Sequence, residues 1–376
     1  MEPAGRDGPL VWELRAALKK AVRAFFERRG YIEVDTPLLV VCPGVEVHLG
    51  YFSSAWVDAA GREHTLFLRS SPELHMKRAL AIGLRRIFQI ATCFRNGGEL
   101  TPWHHPEFTM LEWYEAGIGF EAIIDQTEDL LRFTREELAS SLPGSVTLRL
   151  PPRFRRLSVE EAFKEFGGLS LVDGDPGLAR KACELGIPTV LEDDDFETAY
   201  FKILVERVEP GLAGLGGAVL YDYPASQAVL AKVEGGWAKR FEFYLGGVEI
   251  CNGFLELTDP AENRRRIEGA YARRAELLSG DASARDKGET GRDGSCSNAP
   301  RPGLLPVPAP GSLPELAPEP APDEEFFRAL EAGIPPCAGN ALGFDRWLAL
   351  LLGLEGIARV IPFRESDAWG LYRPDR

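Results

Sequence analysis

Residues 86–114 read RIFQIATCFRNGGELTPWHHPEFTMLEWY. The segments 86–95 (RIFQIATCFR) and Glu107–Tyr114 (EFTMLEWY) are dense in β-branched and aromatic residues, and a polar stretch with Gly and Pro separates them. That pattern predicts two strands joined by a long hairpin loop. Working outward, strands of the same kind are expected at 31–34, 65–69, 218–222, 240–244 and 248–256. Leu10, Leu14, Ala17, Leu18, Ala21, Val22 and Phe25 fall at helical spacing, which predicts an amphipathic helix from Leu10 to Arg29 with Gly30 as its stop. Further helices are expected at 72–84, 120–139 and Ala341–Leu352 (ALGFDRWLALLL). The strands crowd together without regular helical crossovers. The expected fold class is therefore α+β, a largely antiparallel sheet flanked by helices, rather than a doubly wound parallel sheet.

The chain has 376 residues, 45% hydrophobic and 27% charged, ordinary values for a soluble globular protein. Its formal net charge of −14 argues against non-specific nucleic-acid binding, which needs Lys and Arg against phosphates. No run approaches a membrane span, and Met1–Pro9 has no signal pattern. Six scattered cysteines (42, 93, 183, 251, 296 and 337) form no C-x-x-C and no framework, so reduced thiols and a cytoplasmic location are expected, with no zinc site. The segment GLAGLGG at 211–217 lacks the spacing of a phosphate loop and reads as a flexible turn. Residues 140–215 are mixed and say little. Residues 279–322 are rich in Gly, Ser, Asp and Pro, with nine prolines within 300–322. Such a composition cannot bury enough apolar surface to offset its ordering entropy, so it reads as a disordered insertion within one domain spanning 10–363, with 1–9 and 364–376 as flexible tails.

Three constellations carry chemistry. Phe94-Arg95-Asn96 leaves one strand and His104-His105-Pro106-Glu107-Phe108 enters the next, placing an arginine where a phosphate or only solvent could face it. Val248-Glu249-Ile250-Cys251-Asn252-Gly253-Phe254-Leu255-Glu256 holds two carboxylates seven apart. Odd spacing puts them on opposite faces of a straight strand, so a shared divalent ion requires a bend at Asn252-Gly253. Gly343-Phe344-Asp345-Arg346 opens an apolar helix, and its arginine needs either an anion or an internal acid such as Asp345. Two arginines and a metal site together are what attack of a carboxylate on an α-phosphate requires.

These segments resemble motifs 2 and 3 of the class II aminoacyl-tRNA synthetases, and the helix at 10–29 with Val34-Asp35-Thr36-Pro37 resembles motif 1, the dimerising element. The detail is similar to the lysyl branch: SSPELHMKRAL at 70–80, FRN at 94–96, PEFTMLEWY at 106–114 and NGFLELTD at 252–259. Within it, YPASQAVLAKV at 223–233, PPCAGNALGFDR at 335–346 and Ala341, where true lysyl-tRNA synthetases usually carry Gly, resemble the truncated paralogues that join (R)-β-lysine to elongation factor P. With motif 1 at the start of the sequence, no N-terminal anticodon-binding barrel is expected.

The resemblance implies ATP as a substrate, Mg²⁺, lysine or β-lysine as the amino acid, elongation factor P rather than tRNA as acceptor, and a homodimer through motif 1. It implies that Arg95 holds the α-phosphate and Arg346 the γ-phosphate end, as the catalytic pair, with Asn96, Gly97, Glu99, His104, His105, Phe108, Glu249, Ile250 and Gly343 around the nucleotide. Glu249 and Glu256 would hold the metal. Ser71, Pro72, Glu73, Tyr114, Asn252, Glu256 and Ala341 would line the amino-acid pocket, with Glu73 and Glu256 available to ammonium groups. Two departures stand in motif 2. Gly97 occupies the place of the family's adenine-contacting Glu, a role Glu99 could take over, and His105 replaces an Asn. The alternatives are a lysyl-type enzyme that charges tRNA and a catalytically inactive paralogue.

Overall fold

The structure is a computed structural model that describes residues 9–97, 101–142, 144–285 and 320–362. The first helix, α1 (Pro9–Glu27), buries Leu14, Leu18, Val22, Phe25 and Phe26 along one face. The chain then turns at Gly30, whose φ of +73° suits glycine. There follow β1 (Ile32–Glu33), β2 (Leu39–Val40), β3 (Ser53–Val57), β4 (Glu63–Leu68), α2 (Glu73–Ala81), β5 (Arg86–Phe94), β6 (Glu107–Ala116) and α3 (Phe120–Ser141). A second group comprises β7 (Arg155–Ser158), α4 (Val159–Ala162), α5 (Leu178–Glu184), α6 (Phe196–Ile203) and α7 (Glu209–Gly214). The chain closes with β8 (Gly217–Pro224), β9 (Val233–Glu234), β10 (Trp237–Leu245), β11 (Val248–Leu255), α8 (Pro260–Arg285), α9 (Glu324–Gly333), β12 (Cys337–Gly343) and α10 (Phe344–Leu351).

The main sheet runs β1-β5-β6-β12-β11-β10-β8-β7, with β9 beside β10; a smaller sheet runs β2-β4-β3. Pairing is antiparallel except at the two ends, β1–β5 and β7–β8, which are parallel. The α+β expectation therefore holds. The back of the sheet is sealed by α1, α3 and α10 in a core that includes Phe26, Phe88, Trp113, Phe243 and Trp347. Among the described residues the front is covered only at its ends. Helices α4–α7 and their own core (Phe163, Tyr200, Leu212) lie over β8 and β10, while α2 and α9 (Met76, Leu80, Phe326, Phe327) lie over β5 and β6. The strip between them is the cleft.

Three expectations change. Residues 337–343 form a strand, and the helix expected from Ala341 starts at Phe344. Ala-Gly-Asn-Ala-Leu-Gly has weak strand propensity, but hydrogen-bonding partners on both sides, β6 and β11, supply what the residues do not. Residues 211–214 belong to α7, and Gly217 already pairs in β8, so 211–217 is not a plain turn. Finally, α8 runs to Arg285, which makes the first residues of the expected 279–322 insertion helical. The rest of that insertion up to 319, residues 1–8 and 364–376 of the expected tails, residue 363 and Glu99 lie outside the described residues.

Candidate active site

The register of the sheet builds the cleft floor. Gln89, Glu112, Ala341, Asn252 and Glu242 are successive partners across β5, β6, β12, β11 and β10, so their side chains share one face in one line. The neighbouring line holds Tyr114, Gly339, Phe254 and Arg240. Gly339 is required there: a Cβ would sit 2.3 Å from the Tyr114 ring.

Glu249 reaches the same face through a β-bulge. Phe243 pairs with Cys251 but Tyr244 pairs with Glu249, leaving Ile250 as the extra residue. The bend thus lies at Ile250, not at Asn252-Gly253. Ile250 turns into the back core, 1% exposed, and does not face the nucleotide as the resemblance implied. Glu256 shares the face with Asn252 but lies at the far end of the strand, roughly 20 Å from Glu249 at ~3.3 Å per residue. One ion cannot bridge them, so the expected Glu249–Glu256 metal pair is corrected. The acid that acts on Glu249 is Glu242. Desolvation in the cleft, and then the Glu242 charge, raise the Glu249 carboxyl above the usual range. Beside them, Asn252 Oδ1 is buried without a hydrogen-bond partner. These hard oxygen donors suit Mg²⁺ shared with substrate phosphates. Among the described residues no group of three His, Cys, Asp or Glu converges on one point as a protein-only cage would.

Arg95 and Arg346 come together at this end. Arg95 follows β5 and lies over the Phe108 ring, 5.2 Å from its centroid. Arg346 donates to Glu249 O at 2.9 Å and to Trp103 O at 3.3 Å, and its Nη2 is 2.8 Å from His104 Nε2. A guanidinium can only donate, so Nε2 accepts and Nδ1 carries the proton toward Thr101 Oγ1. The edge of the His104 ring reaches solvent, yet desolvation, and then the Arg346 and Arg95 charges, lower its pKa to about 4. Asp345 does not pair with Arg346. It takes Arg15 of α1 at 2.5 Å and the Thr109 N–H at 2.6 Å, which locks motif 1, motif 2 and motif 3 together. Gly343 caps α10 against the Arg346 stem. Asn96 pairs with Gly50, and its Oδ1 accepts from Gly97 N, which has φ +65°. His105 turns its Nδ1 back to Glu107 O at 2.6 Å.

The opposite end is acidic and closed. Lys77 lies 2.6 Å from Glu73 and 2.5 Å from Glu256, so the two acids expected to await ammonium groups share one buried lysine. Sequence reading missed that lysine, although Glu73 and Lys77 stand at i,i+4 on one helix. It also missed Glu112, which alternates with Tyr114 on β6 and is therefore on the same face. Glu112 accepts from Ser71 Oγ at 2.6 Å and from Tyr114 OH at 3.2 Å. Burial, and then the Glu73 charge, raise the Glu112 carboxyl to about 8; burial raises Glu256 to about 7 despite Lys77. Pro72 precedes α2, and Ala341 sits in the line between Glu112 and Asn252, its methyl on the pocket floor.

A helix-flanked antiparallel sheet with an arginine at the end of one strand, another at a helix start and paired acids between them defines a class II synthetase core. The chain belongs to the family described as tRNA synthetases class II (D, K and N), which matches residues 10–283 and 315–367. Its relatives include the elongation factor P–(R)-β-lysine ligase of Vibrio parahaemolyticus, 34% identical over 355 residues, covering 93% of this chain and 94% of that protein. The proteins of the same name from Proteus mirabilis (33%, covering 93% of each chain) and Avibacterium paragallinarum (34%, covering 94% and 95%) are similar to it as well.

Proposed function

We propose that this chain is an AMP-forming ligase that activates (R)-β-lysine and transfers it to a lysine side chain of elongation factor P. One observation carries the amino-acid side of the reading. A buried pocket with three carboxyl groups, Glu73, Glu112 and Glu256, holds a single lysine, and two of the acids are raised to about 8 and about 7. Unpaired buried carboxylates are costly, and an incoming ammonium group relieves that cost. The relatives' names support the β-lysine and the acceptor.

In the first step a carboxylate oxygen of the amino acid attacks the α-phosphorus of ATP, the bond to the bridging oxygen breaks, and pyrophosphate leaves. Arg95 faces the α-phosphate and Arg346 the distal phosphates, stabilising charge that gathers on the phosphoryl oxygens. Neutral His104 and the carbonyls of Glu249 and Trp103 hold Arg346 in place, with the Glu249 carboxylate 3.8 Å from its Nη1. Mg²⁺, held by Glu249 with Glu242 and Asn252, would supply further charge neutralisation. In the second step the unprotonated amine of the acceptor lysine attacks the carbonyl carbon, the bond to AMP breaks, and an amide forms. Ile32, Leu38, Leu39, Val41, Trp56 and Val57 are exposed apolar residues on or beside β1, β2 and β3, which supports a second copy of the chain docking there.

ATP–pyrophosphate exchange with lysine, (R)-β-lysine and (S)-β-lysine, followed by mass analysis of elongation factor P, tests the reading. Exchange favouring (R)-β-lysine and one aminoacyl addition to the factor are expected. An acidic enzyme and a basic lysine-bearing acceptor attract one another, so transfer should slow as salt rises. Label on tRNA and none on the factor would overturn the acceptor. Sedimentation at micromolar concentration should show a dimer.

A further inference from the structure

The loop between β2 and β3 carries a carboxylate, Glu46, that the roles above leave unassigned. The loop is fixed at several points. Ser70 donates through both N–H and Oγ to Pro43 O at 2.9 Å. Tyr271 OH of α8 donates to Gly44 O at 2.8 Å, and Arg274 of α8 donates to the carbonyls of Val47 and Leu49. Gly50 and Asn96 exchange backbone hydrogen bonds of 2.8 and 3.0 Å, a pairing that a Cβ at Gly50 would block at 2.5 Å from Asn96 O. The loop therefore keeps register with the residue that follows Arg95.

Within it, the Ser70 hydroxyl, whose one proton also faces Pro43 O, lies 3.1 and 3.2 Å from the Glu46 carboxylate oxygens, and Tyr51 OH lies 3.1 Å from the Glu46 carbonyl and 3.3 Å from its carboxylate. Arg95 Nη2 stands 3.9 Å away, close but beyond hydrogen-bond length, and 31% of the Glu46 side chain is accessible. The adjacent serines divide the acids: Ser70 meets Glu46 and Ser71 meets Glu112. On α2, Glu73 shares Lys77 with Glu256, so these two acids and their lysine form one buried cluster away from Glu46.

We propose that Glu46 binds the ammonium group nearest the reacting carboxyl, while Glu112 and Glu256 face the distal one. The inference rests on the ligase reading above. The reacting carboxyl must meet the α-phosphate at Arg95. An ammonium one or two carbons further along the chain then falls beside a carboxylate less than 4 Å from that arginine. Glu46 is thus a specificity-determining residue: it distinguishes diamino acids from amino acids that carry only the distal amine.

The experiment is ATP–pyrophosphate exchange by the full chain and its Glu46→Gln and Glu46→Asp variants, with (R)-β-lysine, lysine and ε-aminocaproate, which keeps the distal ammonium and lacks the proximal one. Glu46→Gln should lose about 10- to 100-fold in kcat/KM for the diamino acids, the worth of one charged hydrogen bond. Its rate on ε-aminocaproate should stay as it was, so the preference for diamino acids collapses; Glu46→Asp should restore part of it. Equal losses on all three substrates, or an unchanged ratio, would overturn the proposal and leave Glu46 as a loop brace. Should Glu46→Gln fail to fold, Tyr51→Phe removes a donor to the same carboxylate and should shift the same ratio in the same direction by about 2- to 5-fold; no shift there overturns the proposal equally. A wild-type protein that exchanges with none of the three would instead refute the ligase reading itself.

Discussion

At the Arg95–Arg346 end of the cleft the charged side chains are 33% and 20% accessible, and neutral groups hold much of their geometry: carbonyl oxygens, an imidazole with its pKa lowered to about 4, and an aromatic face. At the Glu112–Glu256 end the acids are 1% and 3% exposed, and Glu256 shares one buried lysine with Glu73. Guanidinium groups stay charged at any pH the protein meets, so they can wait for ATP in partial contact with water. Carboxyl groups respond to burial by taking up protons, so the acid end is poised: it becomes fully charged when a cation arrives. The phosphate end is organised for rate. The acid end is organised for choice of substrate, and its own folding is strained by the same charges.

The largest effect tests the phosphate end. Arg95→Ala and Arg346→Ala should each lower the rate of adenylation by ~10²–10³, the usual loss for one donor aimed at transition-state charge. The ion pairs of Arg95 with Glu46, at 3.9 Å, and of Arg346 with Glu249, at 3.8 Å, are long, so thermal stability should change little. Near-normal exchange in either variant would remove that arginine from the reaction.

The next effect separates the two ends. Glu112→Gln should lower kcat/KM for the amino acid by about 10- to 100-fold, from the loss of one charged hydrogen bond, with little change in KM for ATP. It should also raise thermal stability at pH 8, since it removes a buried acid with no close cation of its own. A variant that loses stability, or loses ATP affinity instead of amino-acid affinity, would show that the acid end serves the fold and not the substrate.

How far this contrast was legible in the sequence follows from its physics. Arg95, Arg346 and the strands 86–95 and 107–114 were readable because an arginine at an element boundary is a local pattern. The antiparallel sheet was readable for the same reason. The bulge at Ile250 was not, because it arises from pairing with β10, and it alone decides that Glu249 faces Glu242 and not Glu256. Strand β12 was hidden because its small residues take their conformation from β6 and β11. Helices α4–α7 went unread because short helices at 159–214 are defined by the core they share around Tyr200. Lys77 was in plain view on α2, but only the fold brings Glu256 to it.

The smallest effect, and the one that isolates the acid end, is on pH and stability. In the unfolded chain Glu112 titrates near ~4.3. In the folded apoprotein burial and Glu73 raise it to about 8, and Glu256 is raised to about 7. Between those values the folded state keeps protons that the unfolded state has released. His104 and His75, both lowered by burial and neighbouring arginines, oppose this below about pH 6.5, so stability should fall clearly as pH rises from about 6.5 through about 8. Lys77, raised by Glu256 and Glu73 despite its burial, and Tyr114, raised by burial and Glu112, both titrate above this window and leave its sign unchanged. The fall in Tm should be on the order of a few degrees for a chain of this size. Glu112→Gln should remove most of the slope between pH 7 and 8, and saturating (R)-β-lysine should flatten it in the wild type by pairing the acids. Arg346→Ala, at the other end, should leave the Glu112 part of the slope, between pH 7 and 8, largely in place. A pH profile that is flat in the apoprotein, or that Arg346→Ala alters as much as Glu112→Gln does, would erase the distinction between the two ends.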